Sequence, residues 1–149
     1  MSNTLILGAN GTVGSEIVRL LKAKNISVLR ATSQKKLEKD QVFLNLTTQE
    51  GLDSALKGIS RLFLLSPPGH VNQDELLIPV IKQAQKSGVQ KIVLMTAMGA
   101  NAVETAPFRK VEIFLEKSGI NFNIIRPNWF MQNFNSYWIE GILKKGQIL

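Results

Sequence analysis

The chain contains no cysteine and only one histidine among its 149 residues. Disulfides, thiolate catalysis and cysteine-type zinc sites are therefore excluded. One imidazole among scattered carboxylates makes no metal constellation, so no metal is expected. A chain without thiols suits a reducing cytoplasm, the compartment expected here. No apolar run approaches the ~18 residues that mark a bilayer-spanning helix. The opening residues MSNTLILGAN have neither a basic n-region nor a long apolar h-region, so neither a secretory leader nor a membrane partner is expected. Acids are scarce too: 11 Asp and Glu stand against 18 Lys and Arg, a net charge of +7. Such a balance suits an anionic partner: nucleic acid, a membrane surface or a small molecule. The bases concentrate at Arg19, Lys22, Lys24, Arg30, Lys35, Lys36 and Lys39, with Glu38 the one acid among them. Nothing in the sequence resembles a helix-turn-helix or the aromatic RNP pattern, so nucleic acid is not the expected partner.

What the sequence does have is alternation. Apolar strand-like runs occur at 4–8, 26–31, 42–46 and 61–66, the last stopped by Pro67-Pro68-Gly69. Between them Val13, Ile17, Leu20 and Leu21 recur at helical spacing. Residues 48–58 read as a short helix opened by Thr48 and closed by Gly58. Residues 72–87 read as a helix that Pro79 either kinks or delays. Two later segments echo each other, KSGVQKIVLM (86–95) and KSGINFNIIR (117–126). Each closes a helix with a glycine suited to a left-handed cap and then enters a buried-type strand. Phe108, Val111, Phe114 and Leu115 carry the helix before the second. Strands alternating with helices predict an α/β fold with a doubly wound parallel sheet, Rossmann-like, with helices on both faces.

In that frame TLILGANGTVG (4–14) places Gly8, Gly11 and Gly14 at the first strand-to-helix turn. Gly8 permits the tight turn, Gly11 lets backbone approach a pyrophosphate, and Gly14 lets helix pack on strand. The helix N-terminus would then face the phosphates with free N–H groups. An NAD-binding turn usually has an acid at the end of the second strand for the ribose hydroxyl. Here the stretch reads LRATSQKK, without one. Arg30, Ser33, Lys35 and Lys36 could take a 2′-phosphate instead, so NADP(H) is expected over NAD(H). The alternative for the lysines is a solvated surface.

LILGANGTVG, RLFLLSPP, KIVLMTAMGA and VEIFLEKSGINFNIIRPNWFMQNF together resemble the NmrA-like, atypical branch of the short-chain dehydrogenase/reductase superfamily. That branch includes NAD(P)H-dependent quinone and azo-compound reductases and redox-sensing regulators. The resemblance runs from residue 4 to about residue 135. It implies cofactor contacts from Gly8, Asn10, Gly11, Thr12, Val13 and Gly14, and from Asn45 and Leu46 near the adenine. Asn45 stands where the family often has Asp; it can accept from an adenine amine or simply cap a loop. Leu65, Ser66 and Pro67 should border ribose and nicotinamide, with Thr96 and Pro127 at equivalent places on later strands. The superfamily's Tyr-x-x-x-Lys pair is missing. Tyr137 is followed four residues on by Gly141, and the helix positions hold Phe108 and Glu112. No catalytic residue is thereby assigned. A quinone accepts hydride readily, so a site that orients it against the nicotinamide could suffice without a dedicated acid, and His70 is either a proton donor or a solvated loop residue.

Trp129, Phe130, Phe134, Tyr137 and Trp138 crowd ten residues near the C-terminus, the last four at helical spacing. They are core packing, or with Ala97 the wall of a pocket for a flat acceptor, Trp129 and Phe130 foremost. The expected division is a cofactor domain at 1–128 and an aromatic helical segment at 129–149, the start of a substrate region that is short or missing. Its stripe should be covered by such a region or by a second copy, giving a homodimer through 129–143. Two functions remain open: an oxidoreductase passing hydride from NADPH to a quinone-like or azo-like acceptor, and a cofactor-sensing module without turnover.

Overall fold

The computed structural model describes residues 3–136 and 138–147. Six strands form one parallel sheet in the order β3-β2-β1-β4-β5-β6. They are β1 (Asn3–Ile6), β2 (Val28–Thr32), β3 (Gln41–Phe43), β4 (Ile59–Leu65), β5 (Lys91–Met95) and β6 (Asn121–Ile125). The helices are α1 (Thr12–Ala23), α2 (Leu52–Leu56), α3 (Gln73–Lys86), α4 (Pro107–Glu116) and α5 (Ile139–Lys145), with a 3-10 turn at Met131–Asn135. Central strands of such a sheet are buried on both faces, which is why β1 and β4 read as unbroken apolar runs. Alternate residues serve two cores. Leu5, Leu62, Leu64, Ile92 and Leu94 pack with α2, α3 and α4. Ile6, Phe63, Val93 and Met95 face the other way, toward Val13, Ile17, Val18 and Leu21 of α1. The expected doubly wound α/β sheet is thus present, with three helices on one face and α1 on the other.

The echoed KSG segments do what their pattern implied. Gly88 and Gly119 take φ of 75° and 76° after α3 and α4, where a side chain would be strained. Two other expectations change. The helix expected at 48–58 is reduced to Leu52–Leu56, and its N-cap is Gly51, not Thr48. The cause is upstream: Asn45 Oδ1 accepts the amides of Thr47 and Thr48 at 3.0 and 3.2 Å. That side-chain turn competes with helical hydrogen bonding. Helix α3 begins at Gln73 and runs through Pro79, so the proline does not delay its start. The aromatic stripe is also broken. A 3-10 turn and α5 replace one continuous helix, and Tyr137 lies outside the described residues. Phe134 and Trp138 still meet edge to face, centroids 5.1 Å apart, and Trp129 lies 5.3 Å from Trp138.

Candidate functional site

The sheet order reverses between β1 and β4, and crevices at such switch points hold ligands in open α/β sheets. Here the loop after β1 meets the loop after β4. Gly8 has φ 63°, and its carbonyl accepts the Gly11 amide at 2.9 Å. A Cβ on Gly14 would lie 2.2 Å from that same carbonyl oxygen and 2.7 Å from its carbon. Any side chain there would push α1 off the loop. The sequence therefore folds into a backbone-only cradle. No side chain caps α1 and no acid occupies its first turn. Its first-turn amides have no side-chain cap, and the positive end of the helix dipole lies behind them.

A cleft of about 590 Å³ opens from this cradle. Residues 8–14 form its floor. Ala31, Thr32, Ser33 and Gln34 after β2, with Leu44, Asn45, Leu46 and Thr47 after β3, form one end. Leu65, Pro67, Pro68, His70, Met95 and Phe130 form the other. Polar groups at one end, a bare backbone cradle in the middle and apolar walls at the other suit a dinucleotide. Among the described lining residues there is no carboxylate, and His70 alone is ionisable.

Of the residues singled out from sequence, Gly8, Asn10, Gly11, Thr12, Val13, Gly14, Ser33, Asn45, Leu46, Leu65, Pro67 and Phe130 line this cleft. Arg30 does not. Its Nη2 is committed to Glu38 and to Asp40, the latter at 2.6 Å, and its side chain is 17% exposed. Asp40 also takes Lys22 at 2.6 Å, and Glu16 takes Arg19 at 2.5 Å. Much of the basic field is thus spent on acids within it or just beyond it. The Arg30 and Lys22 bonds hold the Asp40 carboxyl far below the usual carboxylate range. Lys35 is exposed beyond Gln34 and outside the lining. Asn45 lines the cleft, but its carboxamide oxygen is occupied by the loop amides, so it does not keep the acceptor role expected toward adenine. Ser66, Ala97, Pro127 and Trp129 are not lining residues, and Trp129 is 72% exposed.

Thr96 is also turned away from the cleft. Its hydroxyl donates to Glu112 Oε1 at 2.9 Å. Glu112 is fully buried and accepts from Arg126 Nε and Nη2 at 2.8 and 2.9 Å. Arg109 adds a bond at 3.1 Å. Burial pushes this carboxyl up, but the bonds from Arg126, Thr96 and Arg109 outweigh it and hold it below its ordinary value. The network ties α4 to the ends of β5 and β6. The two strand ends are further laced by Thr96 N–H to Ile125 O and Met98 N–H to Pro127 O, both 2.9 Å. Met95 and Phe130, which line the cleft, flank the tied residues in the chain. Sequence reasoning noticed Glu112 only as an occupant of a missing catalytic pair. The signal that could have found it is an acid spaced as an apolar helix position beside Val111 and Leu115.

A profile of the family described as NAD(P)H-binding matches residues 8–140. Among curated proteins, the chain is 30% identical to an NAD(P)H azoreductase of Xenophilus azovorans over 96% of its own length and 53% of that protein. It is 28% identical to the Prestalk A differentiation protein A of Dictyostelium discoideum, over 97% of this chain and 50% of the relative. The chain thus spans about half the length of the curated relatives it matches. Among solved structures, the triphenylmethane reductase of Citrobacter sp. complexed with NADP(H) superposes with a TM-score of 0.77 at 20% identity, covering 96% of this chain and 54% of that one. An NADPH-dependent quinone oxidoreductase of Escherichia coli complexed with NADPH gives 0.72 at 22%, over 94% and 54%. At these identities the superpositions establish the shared fold.

Proposed function

This chain belongs to the NAD(P)H-binding family, and we propose on that premise that it binds NADP(H) and serves hydride transfer to a quinone-like or azo-like acceptor. The observation that carries the reading is the glycine cradle, where a single added Cβ would strike the Gly8 carbonyl at 2.2 Å. Such a cradle has a use when phosphate oxygens must reach backbone amides. The cofactor would supply a hydride from its reduced nicotinamide. Residues 8–14 would hold the pyrophosphate, and Ala31–Gln34 with Asn45–Thr47 the adenosine half. Leu65, Pro67, Met95 and Phe130 would keep water from the nicotinamide end and present a flat apolar surface to an aromatic acceptor. The names of the azoreductase and quinone oxidoreductase relatives support that acceptor class.

The NADP(H) preference rests on the β2 end. Among the described residues no carboxylate lines the cleft there to repel a 2′-phosphate, and Ser33, Thr32 and Gln34 offer hydroxyl and amide donors. Lys35 and Lys36 stand beyond them as exposed cations. Titration followed by cofactor fluorescence should show NADPH binding more tightly than NADH, and equal affinities would overturn the preference. NADPH oxidation is then followed with and without a panel of quinones and azo dyes. Acceptor-dependent oxidation is the expected result. Tight binding with no oxidation by any acceptor would replace the enzyme with a cofactor-sensing module.

A further inference from the structure

We infer that His70 is the proton donor to the acceptor at the nicotinamide end of the cleft. The inference rests on the proposed hydride transfer and deepens it. The geometry starts from the loop. Pro67 and Pro68 fix the chain direction as it leaves β4, and Gly69 turns it with φ 80°. The turn carries His70 back into the cleft wall beside Pro67, Pro68, Met95 and Phe130. Its backbone carbonyl accepts Gln73 Nε2, which ties the loop to the first turn of α3. The residue is half-buried and lines the cleft, so it borders both the ligand space and water.

Elimination makes the assignment specific. No other described lining residue is ionisable. The charged groups nearest along the chain are otherwise engaged: Asp74 pairs with Lys110 at 3.0 Å, and Glu75 accepts Asn72 Nδ2 at 2.6 Å. The elements facing the loop contribute Met95 and Phe130, which carry no charge. Thr96, which sits beside them in the chain, gives its hydroxyl to Glu112.

The step balances. A quinone or azo acceptor takes a hydride with its two electrons, and negative charge develops on oxygen or nitrogen. The imidazolium N–H bond breaks, its electron pair stays on the ring, and an O–H or N–H bond forms on the acceptor. Water then returns a proton to the imidazole.

The test uses the fact that the chain has one histidine. Its imidazole Cε1–H resonance is therefore assigned without ambiguity, and H70Q should delete it. In the parent, NADP⁺ should shift that resonance and slow its modification by diethyl pyrocarbonate. A resonance and a modification rate both unmoved at saturating NADP⁺ would put His70 outside the site and overturn the inference. In turnover, H70Q should bind NADPH as the parent does while kcat falls at least tenfold. A variant with parental kcat would overturn the proton donor alone, leaving hydride transfer intact. A parent that binds NADPH and reduces no acceptor at any pH would overturn both.

Discussion

Replacing Glu112 by Gln removes one buried charge and almost no volume. In the parent that carboxylate is 0% exposed and takes hydrogen bonds from Thr96, Arg109 and two nitrogens of Arg126. A carboxamide in its place presents an NH₂ to guanidinium donors, leaving at least one facing a donor instead of an acceptor. Removing one partner of a buried pair costs about 3–5 kcal/mol. Side chains of Arg109 and Arg126 keep 17% and 33% of their surface in water, so the expected loss lies at the lower end, about 3 kcal/mol. A domain has about 5–15 kcal/mol in total, so the variant should still fold. In urea, slopes of about 1–3 kcal/mol per molar are usual. At a slope of ~2 the midpoint should drop by about 1.5 M with the slope unchanged. The pH dependence carries a sign that a simple packing defect would not. The Glu112 carboxyl is held below 4.5, its ordinary value. Its contribution is thus complete above the unfolded value and lost as pH falls through the lower folded one. The gap between parent and E112Q should be widest near neutrality and shrink below about pH 4.5. Other carboxylates, Asp40 included, are common to both proteins and cancel in the difference. A loss under about 1 kcal/mol at neutrality, or a gap constant from about pH 7 to pH 3, would refute the reasoning.

Gly14→Ala should weaken dinucleotide binding at least tenfold and cost about 1–3 kcal/mol of stability, because its Cβ meets the Gly8 carbonyl backbone; a parental Kd would show that α1 shifts without harm to the cradle. Arg30→Ala should lower the urea midpoint by freeing Glu38 and Asp40 while leaving the ratio of NADPH to NADH affinity unchanged. A ratio that collapses toward one would restore Arg30 to the 2′-phosphate. We propose self-association through residues 129–143, where Trp129, Met131 and Leu143 are 72%, 74% and 77% exposed. Sedimentation velocity should show a dimer whose weight fraction rises with concentration, and a clean monomer at high concentration would dispose of it.

Strand-to-helix alternation was legible along the chain because a parallel sheet buries both faces of its inner strands and so demands unbroken apolar runs. The glycine cradle was legible for a related reason. Gly8, Gly11 and Gly14 are neighbours in sequence, and the constraints that require them, the Gly11 N–H bond to Gly8 O and the closeness of Gly8 O to where a Cβ on residue 14 would stand, are local. The KSG caps at Gly88 and Gly119 follow the same rule. Where reading went astray, the deciding contact was a competitor outside the window considered. Thr48 has the makings of a helix cap, but Asn45 reaches its amide first.

Local order along the chain thus determined the parallel sheet and the position of the glycine cradle. Only the tertiary structure decided which side chains reach the cleft. Arg30 reads as a phosphate ligand until the pairing of β2 with β3 sets it against Asp40. Thr96 reads as a site residue until α4 brings Glu112 beneath it. His70 reads as a solvated loop histidine as easily as a donor until the turn at Gly69 places it in the cleft wall. The physical reason is common to all three. A charge or hydroxyl goes to the partner the fold brings within about 3 Å, and the chain announces the group but not the distance.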